Sequence, residues 1–323
     1  MAIKKIFKQD EFRELGFGNK VVESNQRLMN KDGSSNVRRT GLPFFKSMSI
    51  YQTLITMPWW KFNLIVFFFY ITVNLFFALI YYFVDPSHLN GMVYENEMQK
   101  FSEVFFFSAQ SLTTVGYGRL NPTGYFDSTL ASIESLIGLL GFALATGLLY
   151  GRFSRPVAKI LFSHNILVSP YKGISALMFR VANRTKSELV DIQANVVLSY
   201  VINDNERPVR KFSNLKLELT KVTLLSTSWT IVHPIDEESP LYGWKEEDFR
   251  KNDLEVLALL QAYEETFAQT VHTRTSYTNE ELIYGAKFQS IMQAGPKGSV
   301  IVTLDKIDDS VPVNLEQEMI RTA

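Results

Sequence analysis

Few side chains in this 323-residue chain stand where they could do chemistry. There is no cysteine, which excludes disulfides, thiolate metal sites and cysteine nucleophiles. The four histidines, His88, His164, His233 and His272, show no H-E-x-x-H or comparable zinc spacing. His233 stands near Asp236, Glu237 and Glu238, and reads as a loop histidine beside a solvated acidic run. Ser163 and His164, with Asp191 downstream, lack the strand–turn–helix setting of a nucleophile elbow. No catalytic constellation emerges, so neither an enzyme nor a cofactor is expected. What remains is the chemistry of the backbone. The run Thr113-Thr114-Val115-Gly116-Tyr117-Gly118 carries two alternate glycines, and glycine reaches φ > 0 without steric cost. A loop of this kind can turn successive carbonyl oxygens toward one axis.

The elements around that loop are those of a membrane protein. From Phe62 to Val84 no side chain is charged over 23 residues, ten of which are Phe or Tyr. That length crosses a hydrocarbon core about 30 Å thick. Trp59 and Trp60 at one end and Tyr81-Tyr82 at the other fit interfacial anchors. A second run, Thr129 to Tyr150, has Glu134 as its one charge. Neither run has the position or make-up of a signal peptide. Between them, Phe101 to Leu112 is apolar and helix-compatible but only about 18 Å long at helical rise, too short to span. It reads as a re-entrant helix delivering Thr113–Gly118 to membrane depth. Irregular backbone is tolerated there only when buried in protein or lining an aqueous path.

Charge sets the orientation. Residues 1–61 hold eleven Lys or Arg, and Arg152, Arg155 and Lys159 follow the second run, whereas residues 85–127 hold only Lys100 and Arg119. The bias places both termini in the cytoplasm of a multi-pass protein of the cell (inner) membrane. Over the whole chain 33 basic residues balance 33 acidic ones, which gives no support to nucleic-acid binding. Ahead of the first span, Ser47 to Met57 sets Met48, Tyr51, Leu54 and Ile55 at helical spacing and stops at Pro58, as a helix lying on the inner membrane surface would. No Arg-rich sensor helix precedes the first span, and no G-x-G-x-x-G follows Gly151. The remainder alternates like strands: Leu215–Leu219 has period two, and 191–202, 254–263 and 299–304 are rich in Val, Ile and Leu. Turn signals fall at Asn203-Asp204-Asn205, Pro234, Ser239-Pro240 and Pro296-Lys297-Gly298, which points to a β-sandwich.

The expected organisation is an N-terminal cytoplasmic segment (1–46), an interfacial helix (47–57), and a membrane domain (58–153). Within the membrane domain lie spans at about 62–84 and 129–150, a re-entrant helix at 101–112 and the loop 113–118. A linker (154–165) and a cytoplasmic β-sandwich (166–323) follow.

Thr113–Gly118 resembles the selectivity filter of potassium channels. Over about residues 31–295 the chain resembles the inward-rectifier potassium channels in their prokaryotic form. The likeness includes Asp32–Asn36, Gly147–Pro156, Met178–Asn183, Ser228–Asp236, Ser239–Gly243 and Thr270–Arg274. It implies a homotetramer of two-helix pore subunits with immunoglobulin-like cytoplasmic domains that extend the ion path. K+ is then the permeant ion, held by the backbone oxygens of Thr114, Val115, Gly116 and Tyr117. Two positions depart from the commonest pattern. Gln110 replaces a frequent Glu, and is expected to hydrogen-bond behind the filter as an amide. Arg119 replaces a frequent Asp, and brings positive charge to the outer mouth.

Further expectations concern gating and regulation. Glu134, an intramembrane carboxylate, could serve as a proton relay, but its place in the outer half favours a structural bond behind the pore helix. Gly147-x-x-x-Gly151 is a close-packing motif or equally a hinge, and the resemblance makes Gly138 and Gly147 the bending points. Tyr150 is the expected gate ring, about two turns below Phe142. Phe142 falls where strongly rectifying relatives carry an acid, so block by polyamines or Mg2+ should be weak in the membrane pore. Asp204 and Glu206 fall in a hairpin like the one lining the cytoplasmic pore of relatives, or are simply a solvated tip. Lys46, Lys61, Arg152, Arg155 and Lys159 gather at one membrane face and suit anionic lipid such as phosphoinositide. The alternative is a membrane-anchored sensor or scaffold with a non-conducting pore, for which an intact Thr113–Gly118 would have no use.

Overall fold

Two units divide the chain, one of residues 40–155 and one joining residues 1–39 to 156–323. The computed structural model describes residues 27–37, 41, 49–84, 88–155, 159–185, 187–204 and 207–315, with backbone alone at 203, 204, 207 and 208.

In the first unit, Ser49 caps α1 (Ile50–Thr56) by accepting the Gln52 amide on its hydroxyl. Met57 is extended, as the residue before a proline must be, and this ends α1. The Pro58 carbonyl then accepts from the Lys61 and Phe62 amides and starts α2 (Trp59–Val84). The helix begins three residues ahead of the apolar run because Lys61 interrupts hydropathy, not helix geometry. A two-residue ladder of β1 (Leu89–Asn90) with β2 (Asn121–Pro122) clips together the ends of the loop between the spans. Between these strands lies α3 (Glu97–Leu112), four residues longer at its start than expected from its apolar stretch. Asn96 caps it through the Gln99 amide and Glu97 sits in its first turn, favourable chemistry for a helix N-terminus. Its 16 residues reach about 24 Å, still short of a membrane crossing. Gly124 opens α4 (Tyr125–Phe153), a continuous helix of 29 residues. Both α2 and α4 are long and apolar enough to cross a membrane. Phe77, Ala78 and Tyr81 of α2 pack on Val104 and Phe107 of α3, with the Tyr81 and Phe107 rings edge to face at 5.2 Å.

The second unit is a β-sandwich. One sheet runs β11 (Gln269–Thr278), β10 (Glu255–Glu264), β6 (Leu189–Asp204) and β7 (Arg207–Asn214), with β8 (Lys221–Leu224) also on β6. The other runs β12 (Leu282–Tyr284), β4 (Ile166–Tyr171), β5 (Ile174–Asn183) and β3 (Ile160–Phe162), with β9 (Ser228–Pro234) on β5. Only the β4–β12 pair among them is parallel. Val168, Phe179 and Ile231 of one sheet and Ile192, Leu198, Val256 and Leu260 of the other form the core.

Three expectations need correction here. β3 lies inside the stretch expected as linker, because Ile160–Phe162 pairs with Val181–Asn183 and so belongs to the sandwich. Leu215–Leu219 keeps its alternation only in part. Leu215 and Leu217 are buried and Leu219 is exposed, and the segment lies outside the ladders, held by single bonds such as Leu215 N–H to Val196 O. His233 is no loop histidine. It sits buried in β9, with Nδ1 at 2.7 Å from the Lys216 carbonyl and Nε2 at 2.8 Å from Ser239 Oγ, and burial lowers its pKa.

Candidate functional site

The loop after α3 grows directly out of the helix end. Thr113 caps α3, its hydroxyl donating to the Ala109 carbonyl at 2.7 Å. The next amides fold back in turn: Thr114 N–H donates to Ser111 O (3.1 Å), and Val115 and Gly116 N–H both donate to Gln110 O (2.9 and 3.4 Å). Gln110 thus supports the loop through its backbone carbonyl, where the sequence led us to expect its side-chain amide. Along the loop φ alternates in sign. Thr114, Gly116 and Gly118 are positive at 59°, 50° and 81°, while Val115 and Tyr117 are not. Alternation of this kind can turn successive carbonyls toward one side.

The glycines accept positive φ freely. Thr114, β-branched, does not, and such a residue stores about 1–3 kcal/mol of strain. Nothing in the sequence signalled it, since threonine is a poor choice for that conformation. Val115 and Tyr117 leave their side chains open, Tyr117 at 80% exposure.

Behind the loop α4 presses on α3 at three successive points. The Ser108 hydroxyl meets Glu134, the Ser135 hydroxyl donates to Ser111 O at 3.2 Å, and Gly138 lies against Leu112 O. A Cβ on Gly138 would come within 1.8 Å of that oxygen. Gly138 therefore serves close packing, within a helix assigned without a break from Tyr125 to Phe153. Glu134 is buried and also accepts from Tyr81 O–H at 3.1 Å. Arg119 does not present a free charge. Its guanidinium pairs with Glu103 of α3.

At the other end of α4, Phe142 and Tyr150 are each 74% exposed, and a Cβ on Gly147 would touch nothing. Gly151 takes the close contact in the Gly147–Gly151 pair, against Tyr51 and Ile55 of α1. Arg152, expected among the lipid ligands, bonds within the protein. Its Nη1 donates to the carbonyls of Leu54 and Ile55, and its Nη2 donates to that of Met57. Its guanidinium also stacks over the Trp59 and Phe62 rings at 4.4 and 4.7 Å. The side chain caps the C-terminus of α1. No sequence signal marks that role, because the acceptors are main-chain atoms nearly a hundred residues away.

Lys61 lies over the Trp60 ring at 5.4 Å, and Arg155 and Lys159 are exposed. Lys46 and Glu206 lie outside the described residues, as does the Asp204 side chain; the Asp204 backbone ends β6 opposite Arg207. A largely apolar cavity of about 630 Å³ opens between α2 and α4 under the loop, lined by Phe69, Leu112, Thr113, Thr114, Gly138 and Phe142. Among the described residues no group of three His, Cys, Asp or Glu is arranged to hold a metal.

Comparison with known proteins bears on both units. A family model for the inward rectifier potassium channel transmembrane domain matches residues 29–156, and one for the inward rectifier potassium channel C-terminal domain matches residues 160–323. The inward rectifier potassium channel Kirbac3.1 of Paramagnetospirillum magnetotacticum is 36% identical over 295 residues, covering 90% of this chain and 98% of that protein. The ATP-sensitive inward rectifier potassium channel 12 of Mus musculus and that of Gallus gallus are each 26% identical, over 303 and 311 residues. Each match covers 86% of this chain and 71% of the relative.

Proposed function

The chain belongs to the inward rectifier potassium channel family, and from that premise we propose that four copies enclose a pore in which Thr114, Val115, Gly116 and Tyr117 pass K+ selectively along its gradient. Tetramers are characteristic of this family. One observation carries the reading: φ alternates in sign through Thr114, Gly116 and Gly118, immediately after a helix too short to span. With the carbonyls on one side, four loops around an axis stack rings of neutral oxygens that replace the hydration shell of a hard monovalent cation. The back-folded amides of Thr114, Val115 and Gly116 fix the upstream end of that stack on α3. Thr113 stands at the inner end, and Arg119, neutralised by Glu103, at the outer.

The remaining roles follow from position. Tyr150, large and exposed near the end of α4, forms the hydrophobic ring that closes the path by dewetting. Phe142 faces the inner cavity without charge. Anionic lipid acts through Lys61 and Arg155 of the membrane unit, and Arg152 transmits the state of α1 to the end of α4. Both termini lie on the cytoplasmic side.

Rubidium uptake into liposomes holding the purified protein, with sodium as the competing ion, tests the central claim. Uptake is expected to ignore sodium. Gly116→Ala should abolish uptake or selectivity, since a side chain at φ 50° costs about 1–2 kcal/mol in each subunit. Equal passage of sodium and rubidium by the unmodified protein would overturn the selectivity.

A further inference from the structure

Glu134 is fully buried, and so are the groups around it: Asn74 and Tyr81 on α2 and Ser108 on α3. A carboxylate at membrane depth ordinarily pairs with a cation or lines water. The neighbouring charges are engaged elsewhere. Asp127, also buried and two turns earlier on α4, meets His88 at 3.1 Å; Glu103 pairs with Arg119; and Glu97 at the head of α3 takes the Tyr82 hydroxyl and pairs with Lys100. Among the described residues no lysine, arginine or histidine pairs with Glu134; its partners are two hydroxyls.

The count of hydrogens decides its state. Ser108 Oγ has one proton and three oxygens in reach: Glu134 Oε1, Asn74 Oδ1 at 3.3 Å and the Asn74 carbonyl at 3.1 Å. The Asn74 amide cannot turn round to supply another. Its Nδ2 donates to the Tyr70 carbonyl at 2.7 Å, and reversal would set two acceptors against each other. With Glu134 ionised, Oε1, Oε2 and Asn74 Oδ1 must share two hydroxyl protons, and a buried negative charge stays uncompensated. With Glu134 protonated, every group is satisfied. The acid donates to Ser108 Oγ, Ser108 donates to Asn74 Oδ1, and Tyr81 donates to Glu134 Oε2.

We propose that Glu134 is a proton-binding site, occupied at neutral pH, and that its proton ties α4 to α3 and thereby holds the filter loop in its conducting shape. The second half of the proposal rests on the conduction reading above. Ser108 lies one turn ahead of Ser111 and Leu112, where α4 again touches α3, and two residues before Gln110, whose carbonyl anchors Val115 and Gly116. Loss of the proton removes the donor to Ser108 and places a charge in the contact. Alkaline pH should therefore reduce flux.

Infrared difference spectroscopy on the reconstituted protein reads the proton directly. A protonated-acid carbonyl band that shifts in heavy water is expected at neutral pH. Glu134→Gln should remove it, and Ser108→Ala should shift it by removing its acceptor. Rubidium uptake should fall as pH rises, and Glu134→Gln should flatten that dependence. Absence of the band in the unmodified protein, or its persistence in Glu134→Gln, overturns the proton site. A band present with coinciding pH profiles overturns its coupling to the filter. A band present with no uptake at any pH supports the proton site and overturns the conduction reading instead.

Discussion

Thr114 and Gly138 illustrate opposite uses of local backbone. Thr114 holds a positive φ that its side chain disfavours, because the carbonyls of Ser111 and Gln110 draw the chain back under the end of α3. Gly138 has ordinary helical backbone, and its missing side chain admits Leu112 O to the surface of α4. Packing and bending make different demands on that glycine, and a pair of substitutions separates them. Gly138→Ala must push α4 off α3, because the clash is with main-chain oxygen that no rotamer can move; a loss of about 1–3 kcal/mol is expected. Gly147→Ala meets open space and should gain about 0.5–1 kcal/mol of helix propensity. Thermal midpoints of the purified protein are the measurement. Equal effects at the two sites would contradict the packing role of Gly138.

Between elements, Arg152 joins α1 to α4. The last carbonyls of a short helix have no partners of their own, and a guanidinium supplies two planar donors where an ammonium offers a point charge. Hydrogen bonds to a charged group are worth about 1.5–3 kcal/mol, enough to decide whether a helix of seven residues persists. Arg152→Ala should speed hydrogen exchange in residues 50–57 and weaken the link from the interfacial helix to the end of the pore helix pair, with Arg152→Lys recovering only part. Binding to anionic vesicles should be little changed by either, because the guanidinium is spent on carbonyls. A large drop in vesicle binding with unaltered exchange would return Arg152 to the lipid-facing set. Arg155, exposed, is the position where charge removal should instead reduce binding to anionic vesicles.

At the scale of the whole molecule, α4 exposes Leu136, Leu139, Leu140, Phe142, Leu144, Tyr150 and Phe153 along most of its length, with only Asp127 and Glu134 fully covered. A helix apolar on all sides requires lipid on one face and further protein on another, in keeping with the tetramers of its family. Around a fourfold axis each substitution acts four times. Phe142→Asp would install four carboxylates in a low-dielectric cavity, and their summed field would concentrate a polyvalent cation there. Internal spermine should block the unmodified channel weakly and the variant strongly, with steeper voltage dependence, in planar-bilayer recordings. Strong block before the substitution, unaltered by it, would place the control site elsewhere in the chain.

The sequence alone determined the architecture. Two long uncharged runs, a short apolar segment between them, alternate glycines after it and a valine- and isoleucine-rich remainder with regular turns are local patterns, and each constrains its own segment whatever the rest does. Helix starts were legible only in hindsight, at Asn96 and Pro58, since charge interrupts a hydropathy run without interrupting a helix. The segment Thr113–Gly118 could be located by its glycines, yet the strained Thr114 could not, because propensity argued against it. Only tertiary structure decided what Arg152, Arg119, Gly138 and Glu134 touch. Their partners lie 98, 16, 26 and 53 or 26 residues away along the chain. A side chain's type sets what it can offer, but whether Arg152 offers its charge to lipid or to a helix end, and whether Glu134 keeps its proton, depends on which atoms the fold brings within three ångströms.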